Sequence, residues 1–312
     1  MSILVTGSLA IDHIMVFRDR FRNHILPDRI HMLNVSFFVP TLKRSFGGTA
    51  GNIAYYLRQL GADPIVLAAV GTDFGPYAEW LDCHGIRRTW ILELPDAHTA
   101  QCFITTDLDD NQITAFHAGA MERAHEARLA AVEESIQLGI VSPNGKRAMQ
   151  EYARELKQRG IPVVVDPGQQ IPQFAAEELL ELLAGAAVCV VNDYEWSLTL
   201  DKTGLSEAEL AARVGACIIT LGEKGSLLWE GGRRVPIPPV RAQQIVDPTG
   251  CGDAYRAGLL WGLAGGRALE ESCHLGSLLG SLKVACEGPQ GLSLDRAAFF
   301  ERCERELGSL HS

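Results

Sequence analysis

Short apolar runs alternate with stretches of helical spacing along most of the 312-residue chain. Residues 3–7, 64–70, 138–142, 162–166, 187–192 and 217–221 are nearly unbroken in Val, Ile, Ala and Leu. Runs of that length and character predict strands of a sheet covered on both faces. Between and around them the spacing predicts helices over 50–60, 77–84, 147–159, 175–183 and 207–213. Such alternation builds βαβ units, so the expected class is α/β around a mostly parallel sheet. Two stretches break the rhythm. Residues 12–46 are rich in aromatic and β-branched positions, and 99–117 read as two strands about a polar turn at 109–111. Together they predict a second, small sheet lying as a lid over the carboxyl edge of the first. The chain then turns helical over 252–264, 268–286 and 294–307. No repeat or linker interrupts it, and a single domain over 1–312 is expected.

Composition narrows the possible partners. Hydrophobic residues make up 47%, enough for a large core, and the formal charge is −10 with no basic run. A nucleic-acid partner is not expected, because phosphate backbones reward clustered Lys and Arg. Neither a positively charged leader nor an uncharged apolar stretch of the ~18 residues a membrane helix needs is visible. The eight cysteines are scattered without a C-x-x-C. Buried, reduced thiols and a cytoplasmic location are the expectation.

Four glycine-rich or polar segments carry the candidate chemistry, and each has a plain structural alternative. In Asp247-Pro-Thr-Gly-Cys-Gly-Asp253, Gly250 and Gly252 let backbone N–H groups converge where a helix begins. The helix dipole favours negative charge there, and an acid at 253 can take a proton from a hydroxyl beside those amides. The alternative is a turn followed by a capping Asp. Gly47-Gly-Thr-Ala-Gly-Asn52 permits close backbone approach, with Asn52 able to donate and accept; it also reads as a flexible loop. Asn192-Asp-Tyr-Glu195 offers a seat for a hydrated Mg²⁺ or, equally, an N-cap with its Glu at N3. Thr220-Leu-Gly-Glu-Lys-Gly225 links two strands and is either a ligand loop or an ordinary turn. Most of these segments follow strands or open helices, at the edge where open α/β sheets bind ligands. No Walker A loop, G-x-S-x-G elbow or H-E-x-x-H helix competes with them.

These words resemble the two signatures of the ribokinase-like, PfkB-type carbohydrate and nucleoside kinases. The first is matched by Gly47-Gly-Thr-Ala-Gly-Asn-Ile-Ala54 with Gly61 and Gly71 behind it, the second by residues 247–260, where Cys251 stands in place of a usual Ala or Gly. The chain is further similar to bacterial ribokinase-like adenosine kinases in 6–13, 35–37, 97–99, 116–121, 166–170 and 192–196. The resemblance implies a three-layer α/β/α sandwich with a β lid. It also implies ATP and Mg²⁺ as cofactors and transfer of phosphate to the 5′-hydroxyl of adenosine, with Asp253 as base. On the same ground Gly250, Cys251 and Gly252 form an anion hole, and Asp12, Gly48 and Asn52 hold ribose hydroxyls. Ser8, Ser36, Phe116, Gln169 and Gln170 surround the base, while Asn192, Glu195, Thr220, Gly222 and Gly225 serve the nucleotide and its metal. Asp247 helps seat a monovalent cation such as K⁺. In one respect the pattern departs: an aromatic expected on strand 99–105 is Cys102, and the neighbouring Phe103 points to the opposite face. A free sugar or another nucleoside is the alternative substrate, a non-catalytic nucleoside-binding protein a remoter one. Relatives with such lids often pair through them, so a homodimer is expected.

Overall fold

The computed structural model describes residues 1–25, 34–109 and 111–307. The chain opens with β1 (Ser2–Thr6), β2 (Ala10–Val16), β3 (Leu42–Gly47), α1 (Thr49–Gln59), β4 (Asp63–Gly71), α2 (Gly75–Cys83) and β5 (Ile91–Leu94). It continues through β6 (Ala100–Thr106), β7 (Gln112–His117), β8 (Leu138–Val141), α3 (Lys146–Gln158), β9 (Val163–Val165), α4 (Ala176–Leu183), β10 (Val188–Asn192) and α5 (Asp193–Thr203). The last elements are α6 (Glu207–Ala211), β11 (Ala216–Thr220), β12 (Ser226–Glu230), β13 (Arg233–Ile237), α7 (Cys251–Ala264), α8 (Leu269–Lys283) and α9 (Arg296–Leu307).

Nine strands form the main sheet in the order β13-β12-β11-β10-β9-β8-β1-β4-β5. From β5 across to β11 they run parallel; β12 is antiparallel to β11, and β13 antiparallel to β12. Side-chain alternation explains the unbroken apolar runs. Ile3 and Val5 of β1 pack with Ile140, Val190 and Ile218 under α1, α2, α7 and α8. Leu4, between them, faces the other way with Val141, Val191 and Ile219, under α3 and α4. Each face of the sheet is thus a core, and both residue parities must be apolar. Sheet, flanking helices and lid give the expected three-layer α/β/α architecture.

The second sheet has the order β3-β2-β6-β7. In the expected segment 12–46 the strands are β2, which begins at Ala10, and β3, which ends at Gly47, while 26–33 lie outside the described residues. β6 and β7 fall within the expected 99–117, whose turn residue 110 is likewise outside them. β2 leaves the end of β1 after three residues, and β3 passes through Gly48 into α1, which hangs this sheet over the carboxyl ends of the main strands. Among the described residues no helix is long and apolar enough to cross a membrane.

Candidate active site

A cavity of roughly 610 Å³ lies between the lid and the carboxyl edge of the main sheet. Its floor consists of residues that directly follow strands: Ser8 after β1, Pro143 after β8, Asp166 and Gly168 after β9, Asn192 at the end of β10, and Thr220 at the end of β11. Parallel strands all present their carboxyl ends to one edge, so five chain-distant segments converge there. Asp12, Cys102 and Phe116 close the cavity from the lid, and Asn52, Gly250, Gly252 and Asp253 from the helix starts.

Asp253 is the third residue of α7, where the first N–H groups of a helix have no partner within it. Gly250 caps that helix at φ +79°, a left-handed conformation, and a Cβ there would stand 2.9 Å from Pro289 Cα. Only glycine fits this turn without displacing the 289 loop. Gly48 makes the corresponding turn into α1, at φ +82° with the Ser8 carbonyl 2.5 Å from where a Cβ would sit. Ser8 itself caps α1, its hydroxyl accepting from the Thr49 amide at 3.1 Å.

The Asp253 carboxylate accepts a hydrogen bond from Asn52 Nδ2 at 2.7 Å. The Asn52 carbonyl oxygen accepts from Gln290 Nε2 (3.0 Å), whose own carbonyl accepts from Trp80. That chain of partners fixes which end of the Asn52 amide faces the acid. Burial pushes the Asp253 carboxyl up to about 7, against the opposing pull of Arg256 and the Asn52 bond. Asp12, in the lid, is pushed up to about 6 by burial. Beneath Asp253, Arg256 pairs with Asp166 at 2.5 Å, both nearly buried, and Arg256 also donates to the Gly252 carbonyl at 3.0 Å. Burial works against the Arg256 charge, but Asp166, Asp253 and Glu195 outweigh it and hold the guanidinium charged. The site therefore holds two acids of near-neutral pKa, Asp253 and the lid's Asp12, with one fixed cation beneath Asp253.

In the lid, Asp12, Cys102 and Phe116 stand opposite one another across β2, β6 and β7. They share a face and line the cavity. Phe103 is on the other face, stacked on His13 with centroids 4.7 Å apart. Burial, with Asp12 nearby, pushes the Cys102 thiol up to about 11, so it stays protonated.

At the opposite end, Asn192 and Glu195 form a reciprocal capping box on α5: Glu195 N donates to Asn192 Oδ1 (2.7 Å), and Asn192 N to Glu195 Oε2 (2.8 Å). Both residues nevertheless line the cavity, so the capping reading and the ligand reading share one turn. Among the described residues no group of three His, Cys, Asp or Glu could cage a metal. Glu195 alone fits a Mg²⁺ that keeps most of its waters and leans on phosphates.

Several expected residues are placed elsewhere. Ser36 is exposed, and Ser36, Gln170 and Gly225 are not on the cavity wall, whereas Gln169 and Gly222 are. Cys251 also falls outside it: its amide is turned to the Pro248 carbonyl at 3.1 Å, leaving Gly250 and Gly252 as the residues that face the cavity. The Asp247 carboxylate accepts from the Thr249 and Gly288 amides, both at 2.8 Å. Its carbonyl accepts from the Lys283 ammonium at 2.7 Å, so the residue expected to help seat K⁺ already has a cation on its backbone oxygen and an amide on each carboxylate oxygen. Sequence reasoning missed Asp166, Arg256, Thr49 and Tyr194 as wall residues. Arg256 carried a usable signal, since it lies three residues after Asp253 and so shares its helix face.

Residues 5–296 match the pfkB family carbohydrate kinase family. A nucleoside kinase of Methanocaldococcus jannaschii is 31% identical over 262 residues, covering 82% of this chain and 85% of that protein. Its crystal structure, described as an archaeal member of the ribokinase family, superposes with a TM-score of 0.85 at 29% identity, over 97% of this chain and 98% of that one. The structure of Burkholderia thailandensis nucleoside kinase in complex with inosine superposes with a TM-score of 0.87 at 45% identity, over 98% of both chains.

Proposed function

This chain belongs to the pfkB family of carbohydrate kinases, and from that premise we propose that it transfers the γ-phosphoryl group of ATP to the 5′-hydroxyl of a purine nucleoside. One observation carries the reading: an acid of near-neutral pKa, held by Asn52, stands at the start of α7 and faces the same cavity as the lid residues Asp12 and Phe116. In this reading Asp253 accepts the hydroxyl proton as the oxygen attacks, a role suited to a base whose pKa lies near the working pH. The amides of Gly250 and Gly252 and the α7 dipole receive the charge on the transferred group, each good donor being worth roughly 10²–10³ in rate. Glu195 would hold Mg²⁺, which would supply positive charge to offset the negative charge of the phosphates. Asp12 accepts from ribose hydroxyls, and closing the lid keeps water from competing as acceptor.

The base end supports a broader substrate than adenosine alone. Phe116 offers one aromatic face, Cys102 only a small neutral thiol. Gln169 presents an amide, which can donate to a 6-oxo group or, turned over, accept from a 6-amino group. Together with the inosine-bound relative, this favours adenosine and inosine together. ADP release should be measured with adenosine, inosine, guanosine, cytidine, ribose and fructose. Both purine nucleosides are expected to exceed the free sugars by ~10²-fold or more in kcat/KM. Equal use of ribose would sink the nucleoside reading.

A further inference from the structure

Lys283 ends α8, and its side chain is fully buried, at 0% exposure. A lysine in a last helical turn ordinarily reaches water while favouring the terminal carbonyls. This one donates inward, to the Asp247 carbonyl at 2.7 Å and the Cys286 carbonyl at 3.1 Å. Burying an ammonium costs several kcal/mol unless dipoles compensate it, so its position calls for a physical reason.

The two acceptors belong to the two loops that build the α7 end of the cavity. Asp247 begins the turn that delivers Thr249, Gly250 and Gly252 to the wall. Cys286 leads to Gly288, Pro289 and Gln290, and Gln290 orients Asn52. Further bonds tie the loops at the same point: Val246 N and Asp247 N both donate to the Val284 carbonyl (2.8 and 3.1 Å), and Gly288 N donates to the Asp247 carboxylate (2.8 Å). A Cβ on Gly250 would stand 2.9 Å from Pro289 Cα, so the two loops leave no room for a side chain between them. A shift of the Asp247 carbonyl would therefore carry the amides of 250 and 252 with it.

A free monovalent cation at this junction would need the carbonyl oxygens that Lys283 already holds, so the residues present do not fit one. We propose that Lys283 is a positioning residue acting as a tethered monovalent cation: its ammonium clamps the 247–252 loop to the 284–290 loop and aligns the Gly250 and Gly252 amides, so that neither folding nor turnover needs added K⁺, Na⁺ or NH₄⁺. The turnover part rests on the kinase reading above; the clamping part does not.

Two readouts separate these. Thermal melting is compared in KCl, NH₄Cl and choline chloride at matched ionic strength, for the wild type, Lys283→Ala, which opens a space, and Lys283→Met, which fills it. The wild type should melt at the same temperature in all three salts. Lys283→Ala should gain about 2 °C or more from K⁺ or NH₄⁺, and Lys283→Met nothing. In turnover with adenosine the wild type should be salt-indifferent. Lys283→Ala should fall by ~10²-fold in choline, as misplaced groups do, and recover at least tenfold in K⁺ or NH₄⁺ with little change in nucleoside KM. Activation of the wild type by K⁺ overturns the proposal, and so does full activity of Lys283→Ala in choline or the absence of rescue by either cation. If neither variant folds, the wild-type salt series decides alone. If no nucleoside yields ADP in any salt, the kinase reading fails while melting still decides the clamp.

Discussion

Asp253 concentrates the chemistry into one titration. Only its ionised form can accept a proton, and burial holds its pKa at about 7. The logarithm of kcat/KM should therefore level off above pH ~7, fall with unit slope just below it and steepen below pH ~6, where Asp12 is protonated as well; a profile flat from pH ~5 to ~8 would remove Asp253 as the base. Asp253→Asn should retain nucleoside binding while turnover falls below about a tenth of wild type, and by far more if proton transfer limits the rate. The same shift makes a stability statement. The folded value lies above the 3.8 of an unperturbed Asp, so the group's contribution to stability is complete below pH ~3.8 and is lost as pH rises through ~7. Relative to wild type, Asp253→Asn should gain thermal stability between those two values and hold a constant advantage above pH ~7, as thermal melting across that range would show. The base is thus held at an energetic cost that only its function explains.

At the scale of the element, the lid shows what strand alternation permits. Because Cys102 and Phe103 are neighbours on β6, only one can face the cavity, and it is the smaller. Phe103 instead stacks on His13 on the outer face. Phe116→Ala should raise nucleoside KM about tenfold, and Cys102→Phe should lower it by a similar factor, since stacking on a base is worth ~1–3 kcal/mol. Phe103→Ala should leave KM unchanged; an equal effect at both phenylalanines would mean that β6 pairs in another register. The same alternation explains which elements were legible. β1, β4, β8, β9, β10 and β11 are buried on both faces and announce themselves as apolar runs, with ends displaced by one residue. β5 is a four-residue edge strand, and β13 is an edge strand carrying Pro236 and exposed arginines, so neither has the pattern of a central strand. Helix starts were legible where glycine or a capping box marked them, as at α1, α5 and α7.

Across the whole molecule, what the sequence could not display is contact between distant segments. Arg256 could be read from its place on the Asp253 helix face, but nothing in the sequence pairs it with Asp166, and only the shared carboxyl edge brings the two to 2.5 Å. Lys283 reads as a helix-end cation until the 247 and 286 loops close over it. The motifs gave the acid and its amides; the fold supplies their supporting charges. It also divides the cavity, because Asp12, Cys102 and Phe116 belong to the lid whereas Asp253, Gly250 and Glu195 belong to the main sheet and its helices. A nucleoside whose sugar touches Asp12 and whose 5′-hydroxyl reaches Asp253 must bridge the two, and bridging draws the lid down. Amide hydrogen exchange measures this directly. On adding adenosine or inosine, protection should rise in β2, β6 and β7, whose amides open by local excursions of the lid. In β1, β8 and β10, buried in the main sheet, it should rise only as far as overall stability does. An increase spread evenly over both sheets would mean that the nucleoside stabilises the fold without moving the lid, and exclusion of water would then need another source.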